Sequence, residues 1–279
     1  PFITWMVQEE AVEEILYCIR HRKDLVIEKS REMGASWLCL IVMTWFIMFH
    51  KYKKFLCVSK DAETVDSEDF DSLFWKVRYI LEHTPKWLHP KISKIKFRIT
   101  NKEYKSAITG VASTAEAGVG GRATAIFGDE FSLHKHDFAF LKHTANTTGC
   151  RIFNGTHRGS GTALAAITDS ENPLSSVIRK FRMHWSQHPD KARGSYHYDN
   201  VTQKVVPHDP LYQYPLDFKF DMSGKPTGGP FPGLRSPWYD AECSRREATE
   251  IAQELDIDYL GAGHPYFDLE ALERQRPTE

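Results

Sequence analysis

The stretch LVIEKSREMGASWL, residues 25–38, decides the fold. An apolar run leads into a charged turn, and Gly34, Ala35 and Ser36 then open a second apolar run. That order reads as a buried strand, a tight turn and a helix. Phosphate sites are built this way, from successive backbone N–H groups at a helix N-terminus with a cation in reach. The standard loop reads G-x-x-x-x-G-K-[ST]. Here Lys29 stands where the first glycine belongs, and Ala35 stands where the lysine belongs. Gly34 permits the turn, Ser36 sits where a hydroxyl would meet Mg2+, and Lys29 and Arg31 are the cations on offer. A strand-to-helix turn with solvated charges accounts for the same residues.

Two stretches downstream weigh on that choice. TAIFGDEF, residues 124–131, has the form of a Walker B strand: an apolar run reaches Gly128, and Asp129 and Glu130 follow at its C-terminal edge. Ligands of open parallel sheets bind beyond that edge. Asp129 is placed to hold a hydrated Mg2+, and Glu130 to orient or deprotonate a water. A surface acidic pair closing a strand is the plainer account. IFNGTHRG, residues 152–159, reads as another strand with a polar tip of Asn154, Thr156 and His157, or as a polar turn.

Around these stretches the chain alternates. A helix is predicted from about Gln8 to His21, then the strand DLVIEKS, a largely buried helix through SWLCLIVMTWFIMFHKY, and the strand KKFLCVSK. Residues 61–84 carry Asp and Glu early and Lys and Arg later, which suits one helix and its dipole, closed by Pro85. KIKFRIT and YKSAITGVAS flank NKE as a hairpin, GVGGRA is a turn, and FAFLKHTAN is a helix. Strands alternating with helices over residues 24–160 indicate an α/β domain with a mostly parallel sheet. After Trp185 the texture turns to His, Pro, Gly and Asp, and two short helices follow from Ser236. This predicts a core over residues 1–185 and a smaller subdomain over 186–268.

Composition sets wide limits. Of 279 residues, 41% are hydrophobic and 26% charged, as in ordinary globular chains, and the net charge is -1. A nucleic-acid contact therefore needs a local patch. The run KWLHPKISKIKFRITNKEYK is one candidate, with a solvated hairpin face as the alternative. The five cysteines have no C-x-x-C spacing, which argues against a zinc ribbon or disulfide scaffold and for a reducing compartment. The histidines, HKH at 134–136 included, match no zinc spacing and read as surface residues. The longest apolar run, residues 37–49, is shorter than the roughly 20 residues of a membrane span.

EKSREMGASW with its early lysine, TAIFGDEF and IFNGTHRG, in that order, resemble the ATPase domain of a large terminase, the motor that packages viral double-stranded DNA. SPWYDAECSRREATEIAQELDIDYLGAG is similar to the end of that domain, so the resemblance runs from about Trp5 to Asp268. It implies a P-loop additional-strand ATPase fold with a small C-terminal lid subdomain, and ATP and Mg2+ as cofactors. Residues 269–279 would then begin the linker to a nuclease domain, with Asp268 as a possible first ligand, and no nuclease activity is expected of this chain. The ATP-binding set would be Gln8, on the adenine edge, with Lys29, Ser30, Arg31, Glu32, Met33, Gly34, Ala35, Ser36 and Trp37. Lys29 or Arg31 would take the β- and γ-phosphates. Ser36 and Asp129 would hold Mg2+, Glu130 would be the catalytic carboxylate, and Asn154, Gly155, Thr156 and His157 would couple hydrolysis to movement. Arg122 is the candidate for the family's trans-acting arginine, although Val119 stands nearer that arginine's usual place. The implied partners are double-stranded DNA, a portal or prohead, a small terminase subunit and further copies in a ring. The implied setting is the cytoplasm of a bacteriophage host, away from membranes. A helicase-like or repair ATPase, and a nucleic-acid module with an inactive nucleotide site, remain the alternatives.

Overall fold

The computed structural model describes residues 3–88, 90–114, 116–118, 120–199, 201–222 and 233–258. Val119, Asp268 and the proposed linker at 269–279 lie outside the described residues. By its contacts the chain divides into two compact units. The first comprises residues up to Glu28, Gly34–Gly155 and Thr162–Arg182. The second comprises Lys29–Met33, Thr156–Gly161 and the residues from Met183 on. The later boundary falls close to Trp185, and two short inserts from earlier in the chain join the second unit.

Helix α1 (Met6–His21) precedes strand β1 (Leu25–Lys29), and α2 (Ala35–Phe49) precedes β2 (Lys54–Ser59). All five residues of β1 are buried, as a central parallel strand requires. Ten of the fifteen residues of α2 are buried too, so it needs no polar face. The expected helix over residues 61–84 is two helices, α3 (Ala62–Val65) and α4 (Leu73–His83). Asp66 makes the break: its carboxylate accepts from the Phe97 N–H and from Arg78, both at 2.6 Å. Ser72 then restarts the helix by accepting from the Trp75 N–H at 3.3 Å.

The expected hairpin is β4 (Arg98–Asn101) against β5 (Ser106–Ala112), and β3 (Ile92–Ile95) adds an antiparallel strand outside it. Next come β6 (Ala125–Gly128), α5 (Asp137–Thr144), β7 (Arg151–Gly155), α6 (Ala163–Thr168) and β8 (Arg179–Met183). The eight strands form one sheet in the order β3-β4-β5-β2-β6-β7-β1-β8. The pairs β5–β2, β2–β6, β6–β7 and β7–β1 are parallel. The mostly parallel sheet is therefore as expected, and β7 stands between the loop-bearing β1 and the carboxylate-bearing β6. That intervening strand is the additional strand. Arg151 anchors it by donating from its backbone N–H and its side chain to Asp24, just before β1. On one face of the sheet Val26, Ile126, Phe131, Phe140, Phe153 and Leu164 share a core, at roughly 1.5–3 kcal/mol for each large side chain buried.

The second unit has its own core of Trp185, Tyr239 and Leu255. It holds a three-stranded antiparallel sheet of β9 (Tyr196–Asp199), β10 (Lys204–Pro207) and β11 (Leu234–Arg235), and the helices α7 (Pro237–Cys243) and α8 (Ala248–Glu254). Ser236 caps α7, accepting from the Tyr239 N–H at 3.1 Å. The five cysteines are free thiols, four of them buried. No helix among the described residues is long and apolar enough to cross a membrane.

Gly110 on β5 is a packing point. A Cβ there would lie 2.5 Å from both Val65 and Phe74. Gly110→Ala is expected to cost about 1–3 kcal/mol through overpacking. Thermal unfolding should show it as a melting temperature lowered by several degrees, and an unchanged temperature would refute the tight α3–α4–β5 junction.

Candidate nucleotide-binding site

Within the first unit, three side chains from three elements meet at the C-terminal ends of the strands. Ser36 is the second residue of α2, Asp129 directly follows β6, and Asn154 is the fourth residue of β7. The register pairs Gly128 with Phe153, so Asp129 and Asn154 arrive at the same level. Ser36 Oγ donates to Asp129 Oδ1 at 2.7 Å. Asn154 Nδ2 donates to the same oxygen at 2.6 Å and to Ser36 Oγ at 3.1 Å. Asp129 and Asn154 are buried, so these bonds form away from bulk water, where a missing partner is costly. Asn154 Oδ1 is buried without a hydrogen-bond donor among the described residues. A buried acceptor beside a hydroxyl and a carboxylate suits a site that takes a hydrated ligand.

The neighbouring backbone is specialised. Glu130 is left-handed, with φ 47° and ψ 49°, a conformation that costs a non-glycine residue about 1–3 kcal/mol and clusters at functional positions. Gly155, at the end of β7, lets the chain pass close to this turn: a Cβ would sit 3.2 Å from the Phe131 nitrogen. Gly34 is left-handed at φ 79°, and a Cβ there would meet Gln8 Nε2 at 2.8 Å. Gln8 is thus buried against the turn that opens α2, and the residue at that helix's N-cap, Gly34, has no side chain to cap it. Trp37 packs edge-on against Tyr79, with ring centroids 5.7 Å apart, so its ring serves the α2–α4 packing. Arg122 lies ahead of β6, at the end away from Asp129, exposed and without an ion pair among the described residues.

The remaining loop residues belong to the second unit and are described within it. The N–H groups of Ser30 and Arg31 donate to the carbonyls of Met183 and Glu254, at 2.9 and 2.7 Å. Ser30 Oγ donates to the Leu255 carbonyl and accepts from the Trp185 N–H at 2.9 Å. The buried Lys191 donates to the Arg31 carbonyl at 2.6 Å, and its burial lowers its pKa. Two loop N–H groups are therefore committed to protein carbonyls. Lys29 is buried at the end of β1, Arg31 is exposed with Glu32 at 3.8 Å, and Met33 is buried. Glu32 is left-handed at φ 59°. Thr156 and His157 are buried in this unit as well.

Two residues escape a reading of the sequence. Lys191 stands in a region without periodicity, and only a long-range hydrogen bond reveals it. His134 is expected at the surface but is buried, and its Nε2 donates to the Asp129 carbonyl at 2.9 Å. Its spacing of five residues from Asp129 across a tight turn is the available signal.

The donor set fits Mg2+. A hydroxyl and a carboxylate are hard oxygens, and the ion keeps several waters and takes phosphate oxygens. No group of three or more His, Cys, Asp or Glu among the described residues is arranged to hold a metal, so the ligand and water would complete the shell.

Burial lowers the His134 pKa below its usual 6.5. Above that pH the folded and unfolded states are both neutral at this group. Below it, the unfolded chain takes up a proton that the folded chain resists, so stability falls as pH drops toward the folded pKa. Thermal melts of His134→Gln from neutral to mildly acidic pH should lose less stability than the parent does. An identical loss would show that other groups carry the effect.

No protein-family model matches the sequence, and no curated protein does. Solved structures share the fold. The Thermus phage P74-26 large terminase ATPase domain aligns over 92% of this chain and 94% of its own, with a TM-score of 0.53 and 10% identity. An arginine-to-alanine mutant of that domain aligns over 92% and 95%, with a TM-score of 0.54 and 11% identity. The large terminase of a thermophilic bacteriophage, in complex with ADP, aligns over 65% of this chain, with a TM-score of 0.51 and 10% identity. The match covers 46% of that ADP-bound protein, so this chain spans less than half its length. At such identities the likeness is one of architecture: the chain has the fold of the ATPase domains of phage large terminases.

Proposed function

We propose that the chain is the ATP-hydrolysing motor domain of a viral large terminase, driving double-stranded DNA into a prohead. The observation that carries this reading is the Ser36–Asp129–Asn154 triangle, set at the strand ends beside the start of α2, whose N-cap is Gly34. Ser36 and Asp129 would hold Mg2+, which when bound neutralises charge on the phosphates. The first N–H groups of α2 would donate to phosphate oxygens. Lys29 or Arg31 would supply the cation missing at Ala35, and Gln8 would read the adenine edge. Glu130, on its left-handed backbone directly after Asp129, would orient and deprotonate the attacking water. Asn154 touches both Ser36 and Asp129, so it would sense the ligand directly, and Gly155, Thr156 and His157 would pass the change onward. Arg122 would serve a neighbouring subunit in a ring. Such an arginine is worth about 10³–10⁵ in rate, so the isolated chain should turn over slowly. The portal and a small terminase subunit complete the proposed partners.

Ala35 favours a second reading, a nucleic-acid module whose nucleotide site is inactive. Nucleotide binding and turnover at high protein concentration separate the two. Glu130→Gln should lower ATP turnover by about 10²–10⁴-fold, the usual worth of a general base, and leave ATP binding unchanged. Parent-level turnover in that variant sinks the assignment. A second test concerns the displaced cation. Lys29→Ala should weaken ATP binding, and adding Ala35→Lys should restore it if the charge has moved within one site. Failure of the double variant would place the requirement in loop geometry instead.

A further inference from the structure

The opposite edge of the sheet carries a different chemistry. A cavity of about 480 Å³ in the first unit is lined by Arg20, Arg22, His50, Lys53, Phe46 and Thr124, among others. It lies at the N-terminal ends of β2 and β6, where the chain leaves α1 and α2. None of its three permanent cations forms an ion pair among the described residues. Arg22 lies against Gly149, whose Cβ would stand 2.8 Å from Arg22 Nε. The Lys53 ammonium lies 5.9 Å from the Phe46 ring centroid. His50 Nδ1 is buried with no partner among the described residues. Burial, then Lys53 and Arg20, lower the His50 pKa, so the cations act on the cavity's interior.

The basic character continues along the rim. Lys51 and Lys105 lie in the loops that enter β2 and β5, both exposed. Those loops are stitched side by side: the Tyr52 N–H donates to the Tyr104 carbonyl at 2.9 Å, and the Thr124 N–H to the Lys54 carbonyl at 2.7 Å. The rim's nearby carboxylate, Asp24, is already taken by Arg151. A chain of net charge -1 thus concentrates cations on one sheet edge, away from the Ser36–Asp129–Asn154 triangle.

We infer that this edge grips the phosphate backbone of duplex nucleic acid, with Arg20, Arg22 and Lys53 forming its deepest phosphate pocket. A row of loops suits a polyanion better than a single free anion, and phosphate contacts hold a duplex without reading its bases. The inference rests on the motor reading for the choice of a duplex.

The test is binding of a fluorescein-labelled DNA duplex across a salt series. Each neutralised phosphate contributes about 0.9 to the slope of log affinity against log salt. The variant Arg20→Gln/Arg22→Gln/Lys53→Gln should lose about 2–3 from that slope and bind at least about tenfold more weakly at low salt. Arg20→Glu alone, at an exposed position, should weaken binding as well, which covers failure of the triple variant to fold. Lys94→Ala/Lys96→Ala/Arg98→Ala, on the β3–β4 hairpin, should keep the parent slope. The inference falls if the rim variants keep the parent slope, if the hairpin variant loses it instead, or if orthophosphate at equal phosphate concentration displaces the duplex. ATP binding measured on the same proteins is the control: duplex binding lost with ATP binding intact concerns the rim alone, whereas absent ATP binding in the parent concerns the motor reading.

Discussion

Everything at the candidate site hangs on one shared acceptor, Asp129 Oδ1. Ser36 and Asn154 both donate to it, so the start of α2, the end of β6 and the end of β7 are held at one point. Two donors on one buried carboxylate oxygen fix the rotamers of both partners. The parallel register makes the arrangement easy to reach, because Gly128 and Phe153 are already neighbours and each strand needs to run only one residue further. The sheet order is therefore the deeper constraint. With β7 between β1 and β6, an amide side chain on the middle strand reaches the hydroxyl on one side and the carboxylate on the other.

Glycines and left-handed residues complete the geometry at small local cost. Gly34 gives room to Gln8, and Gly155 gives room to the turn that carries Glu130. Among the left-handed non-glycine residues, Glu32 lies in the turn before α2 and Glu130 directly follows Asp129.

Much of this is legible in the sequence. The apolar runs before Lys29, Gly128 and Gly155 announce buried parallel strands, and their polar tips mark one edge of the sheet. Ser36, Asp129 and Asn154 each stand out in their own stretch, and the fold brings them into contact. What escapes depends on distant partners. Asp66 splits a helix because Phe97 and Arg78 wait for its carboxylate, which no local pattern records. The six-residue α6 is too short for periodicity to register, although Thr162 caps it. His134 reads as a surface residue until the turn after Glu130 folds it under Asp129. The three-stranded sheet of the second unit is held by aromatic clusters around Tyr196, with little alternation along its strands.

The hydrogen bonds of Ser30 have a consequence for motion. Its hydroxyl reaches a carbonyl 225 residues further along the chain, and the next amide is held by the last residue of α8. The Arg31 amide can exchange its proton with water only when the end of α8 lets go. The turn after β1 and the end of that helix are thus joined, and whatever steadies one slows the opening of the other.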